Sequence, residues 1–192
     1  MLFVLTMANK EFSFMEKTNQ RSLIKKMTFS AMIAALYFVL CLVEGDLASG
    51  FMANVRLAEG FCVFALFVPE VIFGAGIGCF FYNLFFSFGI LDAVIGTTAT
   101  LLGCGFIYFV GRFVKNKPLK LIVFGIGLVV LNAALVPVVL ILNLTDELSW
   151  ASYWVEFGIV AGGEALAVYC VGIPLYFATF KWLPRILGCQ PQ

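Results

Sequence analysis

From Arg56 to Gly103 the chain runs almost unbroken through apolar side chains, yet Arg56, Glu59, Glu70, Asn83 and Asp92 are set into that run. An ionised side chain left at the centre of a bilayer costs about 3 kcal/mol on insertion scales. A chain that carries five polar or charged groups, four of them ionisable, among membrane-length segments puts several of them to use. Composition points the same way: 62% of residues are hydrophobic, 12% are charged, and the mean hydropathy is +1.04, which excludes an ordinary soluble domain. The 192 residues give room for about six crossing segments of roughly 20 residues joined by short loops.

Several chemistries are poorly supported. A net charge of +1, with no basic cluster interleaved with aromatics, argues against a nucleic-acid partner. The chain has no histidine, and its six cysteines form no CxxC pair. Zinc, haem and histidine-based acid–base catalysis therefore find no footing. The cysteines read as small buried hydrophobes.

Residues 1–26 read as a cytosolic tail rich in lysine and arginine, 27–183 as a six-helix transmembrane bundle, and 184–192 as a short cytosolic C-terminal tail. The expected crossings are 27–43, 56–69, 71–86, 91–110, 119–142 and 154–180. Pro137 is expected to kink the fifth. Ala31 and Ala35 lie four apart on one face of the first crossing, with Ser30 and Ala34 beside them. Small residues at that spacing let another helix approach closely, either within the chain or from a separate subunit.

The basic residues set the orientation. They precede the first crossing, fill 112–120 as Arg112, Lys115, Lys117 and Lys120, and follow the last as Lys181 and Arg185. With six crossings all three clusters fall on one side, as the positive-inside rule requires, and both termini are cytosolic. In that arrangement Glu44, Arg56, Glu59, Asn83, Asp92 and Glu156 gather toward the outer half, with Glu164 about 12 Å deeper than Glu156 at 1.5 Å rise per residue. Only Glu70 falls at the inner end.

Each polar group has a duller reading. Arg56 and Glu59, three apart, neutralise each other on one helix face or serve a ligand. Asp92 complements a helix N-terminus or faces the site. Asn83 ties two helices together, and Glu156 meets interfacial water. Glu164 follows two glycines inside an apolar segment and is the hardest to dismiss. The set suits recognition without reaction: a carboxylate accepts two parallel N–H bonds from a guanine-like ring, and an amide serves a carbonyl or ring nitrogen. Phe81, Tyr82, Phe85 and Trp154 are candidates to stack on a flat heterocycle. No nucleophile–base pair, phosphate loop or metal signature accompanies them.

VRLAEG at 55–60, PEVIFGAGIGCFFYNL at 69–84, GILDAVIGTTATLLG at 89–103 and AGGEALAVYCVGIPLY at 161–176 resemble, in order, the QueT family. These are substrate-binding (S) components of energy-coupling factor (ECF) transporters linked to queuosine precursors. The resemblance covers about 26–181 and implies an all-α, six-helix S-component bundle in the bacterial cytoplasmic membrane. Carried over by motif, Arg56 and Glu59 fill the family's Arg-x-x-Glu, Asn83 its Asn-Leu, Asp92 its Gly-x-x-Asp and Glu164 its Gly-Glu-Ala. Ala31 and Ala35 match the docking motif in the first helix. The chain departs from the family pattern at Ala58, where relatives carry serine, and at Phe85 and Phe86, where they carry glycines.

The resulting expectation is a non-enzymatic binding subunit that takes up queuine, preQ1 or preQ0 from outside. It carries no cofactor of its own. A membrane coupling subunit and two cytosolic ATPases, which use the ATP, are the implied partners. The competing expectation is an autonomous proton-coupled carrier with Glu70 or Glu164 as its proton site.

Overall fold

The computed structural model describes the backbone of residues 2–49, 54–145 and 149–189, and the side chains in those ranges except 2–19, 49, 144 and 145. Phe51, Asp146 and Glu147 lie outside the described residues. Every regular element among those described is helical. In chain order these are α1 (Leu2–Glu44), α2 (Asp46–Ser49), a 3-10 helix (Leu57–Leu66), α3 (Val71–Phe86), α4 (Ile90–Phe113), α5 (Lys117–Val123) and α6 (Ile126–Thr145). There follow α7 (Trp150–Ala165), a π-helical turn (Leu166–Val171), α8 (Gly172–Thr179) and α9 (Leu183–Leu187).

Four stretches are long and apolar enough to cross a membrane: Gln20–Glu44, Ile90–Phe113, Lys117–Asn143 and Trp150–Thr179. The other two expected crossings are shorter apolar helices, Leu57–Leu66 and Val71–Phe86. The 16 residues of α3 reach about 24 Å at 1.5 Å per residue, short of a hydrocarbon core of about 30 Å. The second expected crossing is corrected more deeply. Its ten residues wind as a 3-10 helix, and eight of them, Ala58 to Gly60 and Cys62 to Leu66, are buried. Runs of that length are uncommon for this helix type. Irregular backbone at membrane depth is tolerated where protein rather than lipid surrounds it, and this segment meets that condition.

The fifth crossing breaks at Phe124 and Gly125, between α5 and α6, and not at Pro137, where the kink was expected; α6 continues through the proline. A Cβ added at Gly125 would sit 2.6 Å from Val168 and 3.0 Å from the Tyr169 ring, so the last membrane segment packs directly against the break.

Small residues set the helix spacing, as packing must in lipid. Between α1 and α3, the Ser30 hydroxyl donates to the Glu70 carbonyl at 2.5 Å. A Cβ at Gly74 would overlap the Ser30 carbonyl, and one at Gly78 would lie 2.7 Å from the Ala34 carbonyl oxygen. The Ser30/Ala34 side of α1 is thus spent inside the chain, while Ala31 and Ala35, one residue further round, are exposed. Across the bundle Gly127 seats against the Phe106 ring and Gly103 against Leu128, holding α4 to α6. The main core gathers Ile33, Tyr37, Cys62, Phe64, Cys79 and Leu128 with their neighbours. Of the cysteines expected to be buried, Cys41, Cys62, Cys79 and Cys104 are, whereas Cys170 is exposed and Cys189 half-buried.

Gly74→Val should separate α1 from α3 and cost about 2 kcal/mol or more, as overpacking does. Gly158→Ala, with nothing within 4 Å of the added carbon, should leave stability unchanged. Thermal unfolding of both variants in detergent checks the contrast.

Candidate functional site

At 3.0 residues per turn a 3-10 helix stacks side chains three apart in a column. Glu59 and Cys62 are stacked in this way, the Cys62 thiol donating to Glu59 Oε2 at 3.3 Å. Two longer donors reach the other carboxylate oxygen. The Tyr37 hydroxyl from α1 donates to Glu59 Oε1 at 2.6 Å, and the Thr100 hydroxyl from α4 at 2.9 Å. Glu59 is 0% exposed. Its carboxylate is therefore clamped between three elements, and most of its acceptor capacity is used by the chain itself.

Arg56 stands just before this helix and makes no ion pair with Glu59 among the described residues. Its Nε donates to the Ala48 carbonyl at 2.8 Å, Nη2 lies 3.9 Å from Asp92 Oδ2, and Nη1 lies 4.0 Å from Cys79 Sγ. Mutual neutralisation of Arg56 and Glu59 is thus corrected: the partner of Arg56 is Asp92 on α4. Asp92 also accepts from the Ser87 hydroxyl at 2.6 Å and lies in the first turn of α4, where the helix dipole favours an anion. Asn83 bridges α3 to α4, its amide nitrogen donating to the Asp92 carbonyl at 3.3 Å and to Cys79 Sγ at 3.4 Å. Gly96 makes room for this amide, since a Cβ there would lie 2.5 Å from it. The Asn83 oxygen is buried without a hydrogen-bond partner among the described residues.

Glu164 enters from the far side of the bundle. It lies in the last turn of α7, immediately before the π-helical turn, and is 1% exposed with Oε2 unpartnered among the described residues. Glu59 and Arg56 are both within electrostatic reach of it. Gly60 permits the approach: a Cβ there would lie 2.6 Å from Val171 Cβ and 3.0 Å from the Ala167 carbonyl. The two irregular helical pieces thus meet face to face and carry or flank the two carboxylates. Single π-turns within α-helices recur at functional sites.

Arg56, Asn83 and Asp92 accordingly form one buried polar lattice, tied to Glu59 through Cys79 and Thr100, while Glu164 lies buried within electrostatic reach of Arg56 and Glu59 and is bonded to neither among the described residues. Other expectations are overturned. Glu156 is buried, with Oε2 unpartnered among the described residues, and does not face interfacial water. Phe81, Phe85 and Trp154 are 46%, 65% and 59% exposed and turn away from the lattice. Of the proposed stacking residues only Tyr82 is buried, its hydroxyl donating to the Gly45 carbonyl at 3.2 Å. Phe86 is likewise exposed, so the bulk at Phe85 and Phe86 falls outside the lattice. Glu70 is half-buried at the opposite end, 4.0 Å from Lys26 Nζ.

Sequence reasoning missed Tyr37, Thr100, Cys79 and Asn54. Tyr37 carried a signal, a phenol in mid-segment instead of at the interfacial belt. Asn54 is buried with both side-chain polar atoms unpartnered among the described residues, and its φ of 38° turns the chain into the 3-10 helix. It stands among loop residues and carried no signal.

Against this geometry the comparison with protein families is decisive: the model of the QueT transporter family matches residues 27–181. The chain belongs to the QueT transporter family. No curated protein and no solved structure matches it. Membership gives this integral membrane protein a transport role, consistent with its apolar helices. The matched residues contain the whole lattice from Tyr37 to Glu164.

Removing one member of a buried ion pair leaves the other uncompensated and costs about 3–5 kcal/mol, while replacing both by apolar residues costs far less. Arg56→Met and Asp92→Leu singly should therefore each destabilise this QueT protein more than the double variant does. Chemical unfolding of the three variants gives the coupling directly.

Proposed function

We propose that this chain is the substrate-binding subunit of an ATP-driven ECF importer in the bacterial cytoplasmic membrane, capturing a queuosine precursor from outside. The observation that carries the reading is the gathering of buried Arg56, Glu59, Asn83, Asp92 and Glu164 from the 3-10 helix and its start, α3, α4 and the sequence-distant α7 of a transporter-family chain. A 7-deazaguanine such as preQ1, preQ0 or queuine presents N1–H and an exocyclic amine along one edge. Such donors want a carboxylate in a dry site, where charge-assisted bonds are strongest.

Within the lattice the roles divide by what each atom already holds. Glu59 is committed to Tyr37, Thr100 and Cys62, and Arg56 to Ala48 and Asp92. Glu164 Oε2 and Asn83 Oδ1 remain unspent among the described residues. Glu164 is accordingly the group for the ring edge and Asn83 for a remaining ring or amine donor. Glu59, Asp92 and Arg56 hold the frame. The exposed Ala31 and Ala35 on α1 supply the face for the membrane coupling subunit, with two cytosolic ATPases beyond it.

Equilibrium binding of preQ1 and queuine to the purified protein tests the assignment. Glu164→Gln should weaken binding roughly 10- to 100-fold, the worth of a hydrogen bond to a charged group. Tyr37→Phe should weaken it less while lowering thermal stability. Unchanged affinity in Glu164→Gln overturns the site. In liposomes, Ala31→Trp with Ala35→Trp should leave solute affinity intact and abolish ATP-dependent uptake by the reconstituted complex.

A further inference from the structure

At the end of the bundle away from the lattice lies a hollow of about 700 Å3 whose wall includes Lys26, Arg112, Lys115 and Lys120 with Tyr108. A second hollow of about 280 Å3 adjoins it, sharing Phe67 and Cys189 and bringing Lys117, Lys181 and Arg185. Among the described residues neither wall includes an acidic side chain. Lys26 is partly offset by Glu70, and the Arg112 guanidinium donates to the Tyr108 hydroxyl at 3.2 Å.

The positive-inside rule accounts for basic residues at this end, but a solvated topogenic cluster stays on the surface. Lys120 is instead 6% exposed, and its ammonium donates to the Gly111 carbonyl at 2.9 Å. That neutral acceptor occupies one of its three donors. A buried ammonium with no carboxylate beside it among the described residues, in the wall of a hollow lined by three further cations, is built to receive an anion. Phe67, Pro69 and Val114 give the same hollow an apolar side. Phe109, Phe113, Leu119 and Ile122 are exposed on the adjoining α4 and α5, where acyl chains run along a membrane protein.

We propose that this pair of hollows is a phosphate-binding site that takes the headgroup of an anionic phospholipid. Basic pockets between membrane helices near the cytoplasmic surface suit such headgroups. The shared chemistry is a phosphate oxyanion against Lys120, Arg112 and Lys115. A free phosphate would make the same polar contacts without using the apolar flank.

Native mass spectrometry of the delipidated full chain in neutral detergent tests this, with phosphatidylglycerol, phosphatidylcholine and inorganic phosphate as probes. Phosphatidylglycerol should form a saturable adduct at least tenfold tighter than phosphatidylcholine. Arg112→Gln combined with Lys115→Gln should weaken it about tenfold, and Lys120→Met should do the same. Where thermal unfolding shows that Lys120→Met has lost its fold, the exposed Arg112/Lys115 variant carries the test. A saturable phosphate adduct that blocks the lipid, and is lost in the same variants, supports the site with free phosphate as its source. Equal retention of the two lipids with no phosphate adduct, or adducts indifferent to the substitutions, overturns it. Solute binding by the same preparations reads the polar lattice separately, so either reading can fail without the other.

Discussion

The buried pair of Arg56 and Asp92 is the constraint that the rest of the site obeys. Each is 2% exposed or less, and neither charge is tolerable there without the other. Satisfying them takes backbone from α2, the start of the 3-10 helix, the thiol of Cys79 on α3 and the first turn of α4. The pair therefore ties the loop after α1 to the middle of the bundle. Glu59 has no ion-pair partner among the described residues, and its carboxylate is clamped there by the hydroxyls of Tyr37 and Thr100 and the Cys62 thiol.

Helix spacing does the remaining positioning. In lipid there is no hydrophobic gain from helix association, so close contact must come from residues without bulk. Gly74 and Gly78 bring α3 onto α1, which carries Tyr37, and Gly60 brings the 3-10 helix onto the π-helical turn that follows Glu164. Each glycine thus has a polar consequence: it fixes which donor meets which acceptor. The same helix α1 then divides its surface, Ser30 and Ala34 facing inward and Ala31 and Ala35 outward.

Much of this was legible in the sequence, because lipid makes polar residues conspicuous. The five lattice residues stood out from apolar surroundings, and the bounds of α3 were read as they stand. The partnering was not legible. Arg56 and Glu59 look paired at a spacing of three only if both lie in one helix; Arg56 instead precedes the 3-10 helix with non-helical backbone, φ −105° and ψ 87°, and its guanidinium reaches Asp92. The aromatic stack failed for a related reason: in a bundle this small, Phe81 and Phe85 serve the surface. The break at Gly125 was hidden because a proline twelve residues later looked like the stronger signal, yet a helix with protein neighbours accommodates it.

A helix wound three residues to the turn has just three columns of side chains, and Leu57–Leu66 fills one with Glu59, Cys62 and Ala65. Adding or deleting a single residue ahead of Glu59 would rotate everything after it by about a third of a turn. Tyr37 and Thr100 would then look onto Ala58 or Gly60, with no acceptor between them. Register in this short stretch is therefore all-or-nothing, and a one-residue slip silences the carboxylate as completely as removing it.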